Sequence, residues 1–241
     1  MDLGRVGSGI VLLCLAAGAA ADWRESARLW PYPEGFEFIE LGKQATDPST
    51  FKYKAADKYF WLREGVRPPN SFTIHILKYS KVKRGETVLD LGTGCGILAV
   101  FAADQAAKVI ATDIEQAAVE NARENVQRHG VEHIVEVRQG DLFAPVEGES
   151  FDVMYVTLPF PFRHETESQL WQLHERFFHE AGKFLRPQGR IYYQASEIIF
   201  APRVEQLAES NGLFLAGLHM EEPALSRQPL VYEFRKKRQA N

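Results

Sequence analysis

From Thr87 onward the apolar positions form short continuous runs separated by longer amphipathic ones. Thr87–Leu91 reads as a buried strand, Lys108–Thr112 as a second, Ile134–Arg138 as a third and Phe151–Val156 as a fourth. Runs apolar on both faces belong to parallel strands covered by helices on either side. The segments between them have helical period. Ile97–Ala107 is apolar, and Glu115–His129 gathers Ala118, Val119, Ala122 and Val126 on one face before Gly130 stops it. Ser168–Leu185 is an amphipathic helix with Leu170, Trp171, Phe177, Phe178 and Leu185 as its apolar set. Leu185–Arg190 is a turn into a fifth strand, Ile191–Ala195. A helix over Pro202–Asn211 follows, with Val204, Leu207 and Ala208 inward and Gly212 as its stop. Phe214–His219 and Leu230–Arg235 complete the pattern as an antiparallel pair. Upstream, Asn70 or Ser71 caps a helix running to about Tyr79.

The first part of the chain is less periodic. Residues 22–69 are rich in aromatics, and Pro31, Pro33 and Pro48 interrupt any long helix. Phe36–Leu41 suits a short strand, and Lys54–Arg63 a helical turn or two with Tyr59 and Leu62 inward. The segment reads as a cap on the edge of the sheet or, functionally, as a substrate lid. Before it, Arg5 precedes an apolar run, Ile10–Ala21, shorter than the roughly 20 residues of a spanning helix. That run fits a secretory leader, an anchor-like helix touching a membrane, or a misassigned start. Three parts are expected: 1–21 the leader or anchor-like segment, 22–69 the cap, and 70–241 the main domain.

The chemistry concentrates where the first long strand ends. Gly92-Thr93-Gly94-Cys95-Gly96 places glycines at alternate positions. The chain can therefore turn sharply, and a ligand can lie against it without Cβ atoms in the way. The helix that follows aims its first amide groups into the same space. Asp90 sits at the strand end, where a pyrophosphate is repelled and a sulfonium or amino group is favoured. Ile97 occupies the place of the third glycine of a dinucleotide fingerprint, which counts against a nicotinamide oxidoreductase. Asp113, about 20 residues beyond the turn and at the end of the next strand, suits a pair of ribose hydroxyls, with Ile114 beside it to pack on a base.

Asp90-Leu91-Gly92-Thr93-Gly94-Cys95-Gly96 resembles motif I of the class I S-adenosylmethionine (SAM) methyltransferases, and the resemblance extends over Arg67–Arg235. It implies an α/β fold: a doubly wound, Rossmann-like seven-stranded sheet with an antiparallel last strand, here with an N-terminal extension. It also implies SAM as cofactor, held by Asp90, Gly92, Gly94, Gly96, Asp113 and Ile114. Gly140-Asp141-Leu142 resembles the family's acidic residue near the adenine amino group, followed by a flat apolar neighbour. In many members the residues before motif I fold over the cofactor. Thr73 is the contact this suggests, a helix cap or surface hydroxyl being the other reading.

The fourth strand runs into Thr157-Leu158-Pro159-Phe160, a loop at the carboxyl end of the sheet, where ligands of such folds lie. One branch of the family carries Asn-Pro-Pro-Tyr/Phe here and methylates planar nitrogens. Pro159 and Phe160 match that pattern, whereas Thr157 and Leu158 depart from it. Thr keeps an acceptor but lacks the paired donor and acceptor of an amide. The stretch Asp90–Asp141 resembles the ribosomal-protein methyltransferases equally well. Thr157, Phe160 and His164 are the candidate catalytic residues, His164 as a general base or simply as a residue at a helix start. The acceptor is then a nitrogen or oxygen of a protein, nucleic acid or small molecule. The competing class is a SAM-fold binding module with a degenerate loop.

Composition alters this picture little. The 241 residues are 45% hydrophobic and 25% charged, enough for a packed α/β domain. A net charge of −4 gives no global attraction to nucleic acid. The basic end beginning at Arg235 is a solvated tail or, with Lys78, Lys81, Lys83 and Arg84, a phosphate-facing patch. Cys14 and Cys95 do not form a disulfide framework, and with a SAM-using enzyme this points to the cytoplasm, with membrane contact through Ile10–Ala21 as the qualification. His174 and His179 read as surface or flank residues, and no metal spacing is present.

Overall fold

The structure is a computed structural model and describes residues 38–43, 49–160, 169–197, 200–220 and 227–237. The apolar run Ile10–Ala21, the aromatics before Phe38, and His164 lie outside the described residues. Among the described residues no helix is long and apolar enough to cross a membrane.

The main sheet has seven strands: β4 (Thr87–Leu91), β5 (Lys108–Asp113), β6 (Val135–Gln139), β7 (Phe151–Val156), β8 (Leu185–Glu197), β9 (Leu213–His219) and β10 (Arg227–Lys236). Their order is β6-β5-β4-β7-β8-β10-β9. The pairs among β6, β5, β4, β7 and β8 are parallel, and β10 runs antiparallel to both its neighbours. From β4 the chain winds outward to β6 and then returns to lay β7 on the other side of β4. The carboxyl ends of β4 and β7 therefore flank the topological switch point, where ligands of open α/β sheets bind. The helices are α1 (Ser71–Tyr79), α2 (Ile97–Ala102), α3 (Gln116–Arg128), α4 (Gln169–Phe184) and α5 (Ala201–Ser210). Asn70 caps α1 by accepting from the Thr73 amide. The apolar helix expected over Ile97–Ala107 ends at Ala102. Pairing of β8 begins already at Leu185, but its register jumps between Leu185 and Arg190, so the expected turn survives as a bulge.

Phe38–Lys43 (β1), Thr50–Ala55 (β2) and Lys58–Arg63 (β3) form a separate antiparallel sheet in the order β1-β2-β3. This corrects the helical reading of Lys54–Arg63. The burial there has period two: Tyr53, Ala55, Phe60 and Leu62 are buried, while Tyr59 is 40% exposed. The chain reverses through Ala56, held at φ 50°, so that Ala55 pairs with Lys58. Proximity of Tyr59 and Leu62 in sequence imitates a helical face, but the tertiary contacts select alternation.

Among the described residues, β3 has one backbone edge unpaired by any strand, and α3 satisfies it with side chains. Trp61 N–H donates to Asn125 Oδ1 at 2.8 Å, and the Trp61 carbonyl accepts from both Asn121 and Asn125 at 2.8 Å. Arg63 N–H donates to Asn121 Oδ1, and the Tyr59 carbonyl accepts from His129 Nε2 at 2.8 Å. The match is geometric. Four helical residues rise about 6 Å and two strand residues about 6.6 Å, so positions 121, 125 and 129 meet every second residue of the strand. Asn121 and Asn125 are fully buried, and Asn125 also donates to the Cys95 carbonyl at 2.9 Å. The small sheet is thereby tied to the glycine turn.

Candidate active site

The turn after β4 shows why its glycines are there, and each answers a different need. All three have positive φ, a region that side chains disfavour. A Cβ on Gly92 would meet Thr157 at 3.2 Å, and one on Gly96 would meet Ala122 at 3.2 Å. Gly96 is thus a packing position against α3. Gly94 faces open space, with only the Arg67 carbonyl 3.9 Å from its Cβ position. Of the three, Gly94 makes the room that a ligand needs.

Asp90 is fully buried. Its Oδ2 accepts from the Thr93 hydroxyl at 2.6 Å and from the Ala99 amide at 3.1 Å, an otherwise unpaired donor in the first turn of α2. Its Oδ1 is buried with no partner among the described residues. Burial pushes the carboxyl up to about 7 against the lowering effect of those two hydrogen bonds, and the charge of Asp113 adds to the rise. A cationic group at Oδ1 would satisfy the lone oxygen and restore its charge. Cys95 beside it is no nucleophile, since burial pushes its thiol up to about 12.

Asp113 stands at the end of β5, with Gly94 N–H donating to Oδ2 at 2.9 Å and Glu115 N–H to Oδ1 at 3.0 Å. The carboxylate is held rigidly, and each oxygen keeps accepting capacity for a diol. Ile114 next to it is 59% exposed, an unusual position for an isoleucine and a flat apolar surface for a base. Asp141 is ion-paired with Arg176 of α4, a partner with no local sequence signal. Leu142 does not supply the apolar surface expected of it. Its side chain is in the core, 6% exposed, and its backbone takes φ 47°. Thr73 lies half-buried, with both its amide and its hydroxyl directed at Asn70 Oδ1, as a cap residue. The glycine room, the lone Oδ1, the fixed Asp113 and the bare Ile114 together fit a cationic adenosyl ligand.

Thr157 follows β7 directly. Its amide donates to the Leu91 carbonyl at 3.1 Å, and its hydroxyl donates to the Gly92 carbonyl at 2.7 Å. The loop after β7 is thus fastened to the glycine turn across the switch point. Leu158 is buried and Pro159 exposed, and Phe160 is half-buried in an aromatic wall. Its ring lies 5.0 Å from His174, 5.6 Å from Trp171 and 5.8 Å from Phe200.

His174, read from sequence as a surface or flank residue, is fully buried. Its Nε2 contacts the Pro159 carbonyl at 2.9 Å and its Nδ1 the Tyr193 hydroxyl at 2.7 Å. Burial holds its pKa down to about 4, against the opposing pull of the Pro159 carbonyl. The signal was present in the sequence: position 174 is three residues from Trp171 and from Phe177, on the apolar stripe of α4. Among the described residues no group of His, Cys, Asp and Glu is arranged to hold a metal ion.

Comparison with known proteins adds a family to this geometry. The model of the methyltransferase small domain matches residues 72–211. A ribosomal protein L11 methyltransferase of Exiguobacterium is 33% identical over 222 residues, 90% of this chain and 65% of that protein. Another, from Desulforamulus reducens, is 48% identical over 141 residues, 54% of this chain and 44% of its own. The chain thus spans less than two thirds of the length of these relatives. Among solved structures, a ribosomal protein L11 methylase from Lactobacillus delbrueckii aligns with a TM-score of 0.59 at 21% identity, over 73% of this chain and 84% of that one. A tRNA methyltransferase from M. jannaschii aligns with a TM-score of 0.63 at 19% identity, over 79% and 58%. These two share the fold. With more than half its length matched by the family's own model, the chain belongs to the methyltransferase small-domain family.

Proposed function

We propose that this chain methylates a nitrogen or oxygen that itself bears a hydrogen, on a protein acceptor of the ribosomal kind. The observation that carries a hydrogen-bearing acceptor, N–H or O–H, is the Thr157 hydroxyl. Its proton is committed to the Gly92 carbonyl, so lone pairs are all the oxygen has left to offer. It accepts a hydrogen bond from the group being methylated and so turns that group's own lone pair toward the methyl donor. The protein class comes from the relatives, which are named for ribosomal protein L11.

When bound, SAM would supply a methyl group on its sulfonium, taken by an acceptor lone pair aligned opposite the C–S bond as that bond breaks and S-adenosylhomocysteine leaves. The residues fitted to hold it are Asp113 at the ribose, Ile114 at the adenine face, Asp141 at the adenine amino group, and Asp90 with Gly92 and Gly94 at the amino-acid end. Catalysis in such a displacement is mostly positioning. Phe160 walls the acceptor while Thr157 orients it.

The experiment supplies radiolabelled SAM together with recombinant ribosomal protein L11, a ribosomal protein extract, or bulk tRNA. Label is expected in protein. Label confined to tRNA, or in no acceptor, overturns the reading. Thr157→Val should lower turnover about ten- to a hundred-fold, the scale of a misplaced reactant, with a much smaller loss of SAM affinity by calorimetry as the Gly92 carbonyl loses its partner. Thr157→Ser, which keeps the hydroxyl, should retain most of it.

A further inference from the structure

We propose that His174 is a positioning residue for the acceptor loop: its Nε2–H holds the Pro159 carbonyl, and Tyr193 fixes the imidazole tautomer that makes this possible. The inference rests on the reading of Thr157–Phe160 as the acceptor loop. A carbonyl cannot donate, so the 2.9 Å contact to Pro159 requires the proton on Nε2. The neutral ring then presents a bare lone pair at Nδ1, and the Tyr193 hydroxyl 2.7 Å away must donate into it. The ring is neutral because it is buried among Trp171, Tyr193 and Phe160. The relay runs one way, from β8 through α4 to the loop.

Two features make this more than packing. A buried imidazole costs more to desolvate than an apolar side chain of the same size, so the fold gains nothing from a histidine here unless its hydrogen bonds matter. The anchored carbonyl also lies between the two residues that face the acceptor. Pro159 has no N–H with which to tie the loop locally, so its carbonyl is the handle. Holding it sets Phe160, whose ring is 5.0 Å from the imidazole, and limits the play of Thr157 two residues earlier.

The test compares His174→Leu, His174→Gln and Tyr193→Phe in methyl transfer from radiolabelled SAM to recombinant ribosomal protein L11 and to a ribosomal protein extract. SAM affinity is measured by calorimetry on the same preparations. His174→Leu should lose roughly ten- to a hundred-fold in kcat while SAM Kd stays within about two-fold, since the cofactor groups stand on other strands. His174→Gln places an amide N–H where Nε2–H was and should recover most of the loss. Tyr193→Phe frees the tautomer and should fall between them. In the wild type, ¹⁵N spectra of the imidazole should show the Nε2–H tautomer, unchanged from pH 7 to pH 5. Wild-type turnover in His174→Leu, a Gln variant no better than the Leu variant, or an Nδ1–H tautomer overturns the proposal. If His174→Leu does not fold, the Gln and Phe variants and the tautomer decide. A wild-type protein inactive on every acceptor instead defeats the parent reading of the loop.

Discussion

At the scale of single residues, the cofactor side of the proposed site depends most on Asp113. Two backbone N–H groups fix its carboxylate from behind, so its remaining lone pairs are presented without an entropic cost of ordering. Hydrogen bonds to a charged group typically contribute about 1.5–3 kcal/mol. Asp113→Ala should therefore weaken SAM or S-adenosylhomocysteine binding about ten- to a hundred-fold by calorimetry, and an unchanged Kd would remove Asp113 from the site. Asp113 and Asp90 were readable from the sequence because strand ends and glycine turns place them by backbone geometry alone. The packing of Gly96 and the burial of Leu142 were not, because they are set by Ala122 and by the core, which sit far off or out of view along the chain. Asp141 was placed correctly in its turn, yet its partner Arg176 comes from a helix that spacing cannot connect to it.

At the scale of elements, the contact between β3 and α3 is the unusual one. An open strand edge is an invitation to pair with another chain, and here helix side chains at four-residue spacing close it. Asn125 makes the most of this spacing, serving Trp61 twice and Cys95 once. Asn125→Ala should leave the Trp61 amide and the Cys95 carbonyl unsatisfied. At about 1–3 kcal/mol for a buried group, and less for the part-buried Trp61 amide, a loss of roughly 1–4 kcal/mol in urea unfolding is expected, together with weaker SAM binding as the glycine turn loosens. A change below about 0.5 kcal/mol, the range of ordinary surface substitutions, would mean that the ladder does not dock the sheet. The strands and helices from β4 to β7 were legible because each has one period and clear stops, such as Gly130. The β2–β3 hairpin was not. Its aromatics and lysines satisfy a helical and an alternating pattern at once, and only the distant asparagines choose between them.

At the scale of the whole molecule, two buried groups on opposite sides of the switch point give opposite pH dependences. His174 has its folded pKa held down to about 4, below an ordinary 6.5. The unfolded chain takes up that proton first, so stability falls as pH drops from about 6.5 to 4. Asp90 is raised to about 7 from an ordinary 3.8. The folded chain keeps that proton, so its contribution is full below about 3.8 and is lost as pH rises through 7. Between pH 4 and 6.5 one group binds a proton less on folding and the other a proton more, and their slopes nearly cancel. Asp90→Asn removes one side of this balance. The variant's unfolding free energy should climb as pH rises from 4 to 6.5, at up to about 1.4 kcal/mol per unit, while the wild type stays flatter across the same range. Comparing the two proteins cancels the ordinary carboxylate pairs, such as Glu86 with Arg190, because both carry them. The measurement is urea unfolding at half-unit steps of pH. Parallel curves for the two proteins would show that Asp90 titrates as an ordinary carboxyl, and its lone Oδ1 would then not be the buried, charge-starved atom that favours a cationic ligand.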